Sequence, residues 1–216
     1  MDPYNFLVKV LVYAIPVIFA ITLHEAAHGY VARHFGDTTA YMLGRVSLNP
    51  AKHIDPLGTI LLPLVTLLLS GYMFGWAKPV PVNFNNLRNP KRDMFWVAAA
   101  GPGANLAQMA AWALVARLLM AFPETQVGAF WMAVAEAGIL VNAAFAILNL
   151  FPILPLDGGR IVMSLLPNKL SYEYSRLEPY GMVILLVLIL TGVLGHLLNP
   201  LLAVTLNQIY SLAGLG

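Results

Sequence analysis

Five times along this chain, apolar residues run on for about the length needed to cross a bilayer: at 6 to 23, 57 to 74, 94 to 121, 127 to 151 and 179 to 198. A hydrocarbon core about 30 Å thick is crossed by roughly 20 residues of helix. A shorter run at 200 to 214 follows, and Pro200 at its head predicts a fresh helix there, because proline suits a first turn. Composition agrees, with 59% hydrophobic and 10% charged residues over 216 positions, where soluble domains carry about 25% charged. The sequence predicts an all-α integral membrane protein of about five to six helices. It reads as a single unit over 1–216, with a core at 6–159 and C-terminal helices at 179–214. The first run lacks a basic start and carries HEAAH at its end, so it is expected to stay in place rather than act as a cleaved signal.

Charge orients the chain. Ten of the twelve basic residues fall in three stretches: Arg33, Arg45 and Lys52; Lys78, Arg88, Lys91 and Arg92; Arg160, Lys169 and Arg176. The positive-inside rule puts all three on the cytoplasmic side. The run at 57 to 74 then has basic flanks at both ends, which conflicts with a simple crossing. It is expected to enter from the cytoplasmic side as a helix and return as a small extended β element through Gly71, Gly75 and the KPVPV stretch at Lys78 to Val82. Two prolines disfavour helix there and suit an edge. Irregular backbone at membrane depth is tolerated only against protein or a wet cavity, so such an element would border a hydrated site. An ordinary spanning helix is the alternative.

His24, Glu25 and His28 form HExxH at the cytoplasmic end of the first run. Four-residue spacing sets the two imidazoles about 40° apart on one helix face, which is ligand geometry. Glu25, about 100° round from His24, can reach a water on the metal without ligating it. The plain alternative is a set of helix-end polar residues facing headgroups, but two histidines and a glutamate in apolar sequence are costly unless they are paired or functional. The chain has no cysteine, so zinc would be held by imidazole and carboxylate, and a catalytic site needs a third protein ligand. Asp157, in NLFPILPLDGGR, is the best candidate: Pro152 and Pro155 break the helix, and Gly158 with Gly159 permit a tight turn that folds the carboxylate back. A turn-capping role is its alternative. Asp37 and Asp55 lie in a polar loop where solvation is the default, and Glu136 sits half a span away, with Arg117 a possible structural partner.

HEAAH at 24–28, AGPGAN at 100–105 and NLFPILPLDGG at 149–159 together resemble the site-2 protease family of membrane metalloproteases. The stretch GRVSLNPAKHIDPLGT at 44–59 is similar to its short prokaryotic branch. The resemblance implies an intramembrane zinc metalloprotease that hydrolyses peptide bonds in or near transmembrane segments, in the inner membrane of a prokaryote with the site toward the cytoplasm. It implies one Zn2+ per chain, held by His24, His28 and Asp157, with Glu25 as general base. It also singles out Asn149, a candidate oxyanion donor, and Asn105, a candidate substrate contact. Interhelical hydrogen bonding is the competing reading for both amides. Asn142, on nearly the same face as Asn149, is a candidate for lining a polar path for water. His53 is a candidate for aiding the substrate or oxyanion, with a solvated loop histidine as the alternative. A substrate helix must unwind before hydrolysis, and Pro79, Val80, Pro81, Val82 and Asn83 are the segment expected to pair with it by strand addition. The partners expected are thus a transmembrane protein substrate and the lipid bilayer, with no nucleic-acid footprint. A membrane zinc transporter or metal-binding protein using the same ligands is the alternative from another class.

Overall fold

The computed structural model describes residues 3–61, 77–122 and 125–215, apart from the side chains of residues 3–7 and 60. Its helices are α1 (Pro3–His34), α2 (Thr39–Met42), α3 (Pro90–Leu119), α4 (Gln126–Asn149), α5 (Asp157–Leu165), α6 (Asn168–Ser175), α7 (Glu178–Leu190) and α8 (Val193–Ala213). Short 3-10 turns at Pro50–Lys52 and Phe84–Asn86 and a π-helical turn at Pro56–Leu61 punctuate the connections.

The core is a bundle of α1, α3 and α4. Ala20, Ala26 and Ala32 on α1, Ala113 and Ala116 on α3, and Ala135, Ala143 and Ala146 on α4 are all buried. Side chains this small let helix axes approach closely where no hydrophobic force acts between helices. At Gly138 even a methyl group would enter the Trp112 indole. Along α1 and α3 the partners run in opposite senses, His28 against Val97 and Ala20 against Asn105, so the two helices are antiparallel. Val12 packs with Val134 and Ala137, tying the other end of α1 to α4.

Val8–His34 and Gln126–Asn149 are long and apolar enough to cross a membrane, and α7 with α8 forms a third candidate only if that pair, bent by 79°, is one span. The expected crossing at 94–121 corresponds to α3, whose 30 residues would extend about 45 Å. It falls short on apolarity because Gly101, Pro102, Asn105 and Gln108 dilute it, and these face the bundle interior, where they are buried. The expected bundle of about five to six helices is therefore not what the described residues show. The C-terminal expectation needs two corrections. The break lies at Gly192, whose φ of +75° suits glycine, and Pro200 lies inside α8 instead of starting a helix. No β element occurs among the described residues: 77–83 is irregular and pairs with no strand. The re-entrant run expected at 57–74, with Gly71 and Gly75, lies outside the described residues from 62 on.

The turn at 150–156 carries the chain from α4 back to α5. Gly158 and Gly159 are helical and lie against its backbone, where a Cβ would strike the Leu150 carbonyl and Leu154 nitrogen, and Gly181 of α7 lies against Leu154 from another helix. Close packing is thus what these glycines supply, rather than the turn conformation the sequence suggested. Arg160 pairs with Glu178 and fastens α5 to α7.

Candidate active site

His24 and His28 project from the last third of α1 and are both buried. Asp157, the first residue of α5, meets them: its carboxylate oxygens lie 3.2 Å from His24 Nε2 and 3.3 Å from His28 Nε2. The two Nε2 atoms are 3.1 Å apart. Among the described residues these three are the group of histidine and acidic side chains placed to hold a metal ion.

The outer nitrogens explain why those inner atoms converge. His28 Nδ1 donates to the Val97 carbonyl at 2.7 Å, and a carbonyl can only accept. His24 Nδ1 lies 2.6 Å from Asn105 Oδ1, while Asn105 Nδ2 donates to Ala20 O at 3.3 Å and to Asn142 Oδ1 at 3.0 Å. Asn142 Nδ2 in turn donates to Gly138 O at 2.9 Å. With both Nδ1 atoms donating, a neutral imidazole offers only a lone pair at Nε2. Two lone pairs and a carboxylate then face one another in a buried space, an arrangement that repels itself unless a cation sits between. Orienting groups of this kind on the far side of ligand histidines fix tautomer and ring direction.

The donor set fits zinc. An ion held tetrahedrally at about 2.0–2.1 Å spaces its donor atoms about 3.3–3.4 Å apart, near the separations found here. Asp157 Oδ2 is buried and lacks a hydrogen bond of normal geometry, as an oxygen kept for a metal would. Room comes from Gly101 of α3, where a Cβ would lie 2.5 Å from His24 Cε1 and 2.6 Å from its Nε2 and would also strike His28 Nε2.

Glu25 is half-buried, and its Oε2 accepts the Val80 N–H at 2.7 Å. The KPVPV segment therefore lies beside the HEAAH turn, seated where the side chains of Val46 and Val80 press on Gly29, within 2.9 and 3.3 Å of where its Cβ would be. Asn83 differs from expectation: its N–H goes to Asp37 Oδ2 at 2.7 Å and its side chain caps the turn at Phe84–Asn86, so its polar groups serve the fold. Asn105 differs too. It is fully buried behind His24, with its amide committed to His24, Ala20 and Asn142. Asn142, expected beside a water path, belongs to the same chain of amides. Asn149 turns its Nδ2 onto Phe145 O of its own helix at 3.0 Å, and no described contact joins it to the histidines.

Asp37, expected to be solvated, is buried. Burial raises its carboxyl, but hydrogen bonds from the Thr39 hydroxyl and amide, the Asn83 amide and the Asn86 side chain prevail and leave it below the ordinary range. Asp55 caps the π-helical turn through Leu57 and Gly58. His53 is fully buried, contrary to a solvated loop position, with Nε2 on Ser47 O at 2.8 Å. Glu136 is exposed on α4, and the described residues give it no ion pair with Arg117. Sequence reasoning missed the roles of Gly101 and the Val97 carbonyl. The four-residue step from Gly101 to Asn105 within AGPGAN was the available signal for the first.

Comparison with known proteins gives a consistent picture. Residues 118–192, which include Asp157, match the family model of peptidase family M50. Over 191 residues the chain is 38% identical to YwhC of Bacillus subtilis, a candidate zinc metalloprotease by name, covering 87% of this chain and 84% of that one. It is 30% identical over 180 residues to the similarly named Rip2 of Mycolicibacterium smegmatis, covering 83% of this chain and 66% of that one. Rip2 of Mycobacterium tuberculosis is likewise 30% identical, over 178 residues. No solved structure matches the chain.

Proposed function

Because this chain belongs to peptidase family M50, the site-2 proteases, we propose that it is a zinc endopeptidase cutting a peptide bond in or near a transmembrane segment of another membrane protein. The observation that carries this reading is the convergence of His24 Nε2, His28 Nε2 and an Asp157 oxygen inside the bundle, with Glu25 in the same turn of α1. Those three residues would hold one Zn2+ per chain. When bound, zinc polarises the scissile carbonyl and makes water a nucleophile near neutral pH.

The chain's own residues supply the rest. Glu25 receives the proton of the attacking water and passes it to the leaving amine. Its Oε2 is engaged by Val80, which leaves Oε1 for that transfer. Asn105 holds His24 in the tautomer and direction that ligation needs. Asn149 is the proposed oxyanion donor, and reaching that role requires its amide to leave Phe145 O. An unwound substrate pairs with 79–82: among the described residues, the Val82 N–H and the carbonyls of Val80 and Pro81 carry no hydrogen bond, as a free edge requires.

The site lies toward the cytoplasm of a prokaryotic inner membrane in this reading, supported by the basic residues Arg33, Arg45, Lys52 and Lys91 flanking the histidine end of α1 and α3. α3 crosses as a further span, its interior polar residues shielded by α1 and α4, and residues 1–216 act as one metalloprotease unit. The test compares wild type with Glu25→Gln in detergent against a panel of single-span membrane peptides. Wild type should cleave at least one of them, and the variant should bind zinc without cleaving. Equal cleavage by both would reject the assignment.

A further inference from the structure

We propose that Arg45 is a positioning residue for Glu25, acting through the KPVPV segment. This rests on the reading of Glu25 as general base. One guanidinium nitrogen of Arg45 donates to two successive carbonyls, Lys78 O at 3.0 Å and Pro79 O at 3.3 Å. The next residue is Val80, whose N–H meets Glu25 Oε2 at 2.7 Å. Three bonds thus run in sequence from a loop arginine to the carboxylate that handles the proton.

The prolines make this chain of contacts specific. Proline has no N–H, so within 79–81 Val80 is the one residue able to donate. A slip of the segment by one residue in either direction would present Glu25 with a proline nitrogen and no hydrogen bond. The alternation of proline and valine therefore encodes a register, and Arg45 enforces it by gripping the two carbonyls just before Val80. The segment is also fastened outside this grip, by the Lys78 N–H on His53 O at 2.9 Å and the Asn83 N–H on Asp37 Oδ2 at 2.7 Å. Loss of Arg45 should consequently leave the segment attached at its ends and imprecise in its middle. Proton transfer is sensitive to displacements of that size, since a misplacement of about 1 Å can cost roughly 100-fold in rate.

The same prolines provide a direct readout. A peptide spanning Pro79 to Pro81 has a single exchangeable backbone amide, that of Val80. In full-length protein in detergent, hydrogen–deuterium exchange at this amide should be slow in wild type and fast in Arg45→Ala, with Glu25→Ala as the fast reference. In zinc-loaded enzyme, cleaving a membrane peptide that wild type accepts, Arg45→Ala should lower kcat roughly 10- to 100-fold with KM and zinc content unchanged. Added guanidinium ion should restore part of the loss, and sodium chloride at the same concentration should not. Arg45→Lys, which keeps the charge on a side chain of different shape and reach, should fall between, and it decides the matter by the same readouts if Arg45→Ala does not fold. Slow Val80 exchange with unchanged kcat would overturn the proposal. So would a raised KM at constant kcat, which would put Arg45 on the substrate. Wild type that binds zinc yet cleaves no peptide would sink the protease reading, and the exchange measurement would still decide whether Arg45 sets the Val80 contact.

Discussion

Where α1, α3, α4 and α5 meet, buried polar atoms answer one another across helices: His24 to Asn105, Asn105 to Asn142, His28 to Val97, Asp157 to both histidines. The α7 and α8 pair, tied to α5 by Arg160 and Glu178, shows no such buried lattice among the described residues. It buries Gly181, Leu185 and Leu194 and leaves most of its large apolar side chains exposed. A polar group buried without its partner costs about 1–3 kcal/mol, so the first region is fixed to within a fraction of an ångström, while the second needs only to stay apolar. Substitutions should separate the two accordingly.

The largest effect is expected at Gly101, where a single methyl would occupy the space between the imidazoles. Gly101→Ala should weaken zinc binding by more than about 100-fold, beyond the 10- to 100-fold typical of lost orienting groups, as read by metal content after dialysis. Asn105→Ala should fall within that typical range and should also lower thermal stability in detergent, because His24 Nδ1 and Asn142 lose their partner. Neither change touches α7 or α8. If either left zinc affinity intact, the supposed difference between the regions would collapse.

Asp37 sharpens the comparison from the loop side. Its folded carboxyl lies below the ordinary value of 3.8, so its contribution is present above that value and is lost as pH falls through the folded one. Asp37→Asn should cost about 1.5–3 kcal/mol at neutral pH, the range for hydrogen bonds to a charged group. Melting curves of wild type and variant should draw together below about pH 4. The smallest effect is expected at Gly192, which has φ +75° and open space around its missing Cβ. Gly192→Ala should cost about 1–2 kcal/mol from the left-handed backbone alone and leave zinc binding and cleavage unchanged.

Some of this was readable in the residues and some was not, for reasons that follow the same division. The i, i+4 histidines needed only helical periodicity, and α1 and α4 announced themselves by apolar length. Asn105 was visible as an amide in an apolar run, but whether it faced a substrate or a histidine depended on the register of α3 against α1, which no local pattern carries. Gly101 acts through an atom it lacks, so its importance appears only when the imidazoles are in place. KPVPV read correctly as non-helical. Within the chain it pairs with no strand among the described residues, since its Lys78 and Val80 amides go to His53 and Glu25. Between α7 and α8 the left-handed Gly192 sets the break, and proline at 200 is absorbed within α8.

X-ray absorption at the zinc edge of purified, functional protein would address the metal centre itself. It should show one zinc per chain with two imidazole nitrogens and a carboxylate oxygen at about 2.0–2.2 Å, and the Asp157→Ala protein should lose that oxygen scatterer or the metal altogether. An active preparation without zinc, or a zinc shell unchanged in Asp157→Ala, would contradict the account.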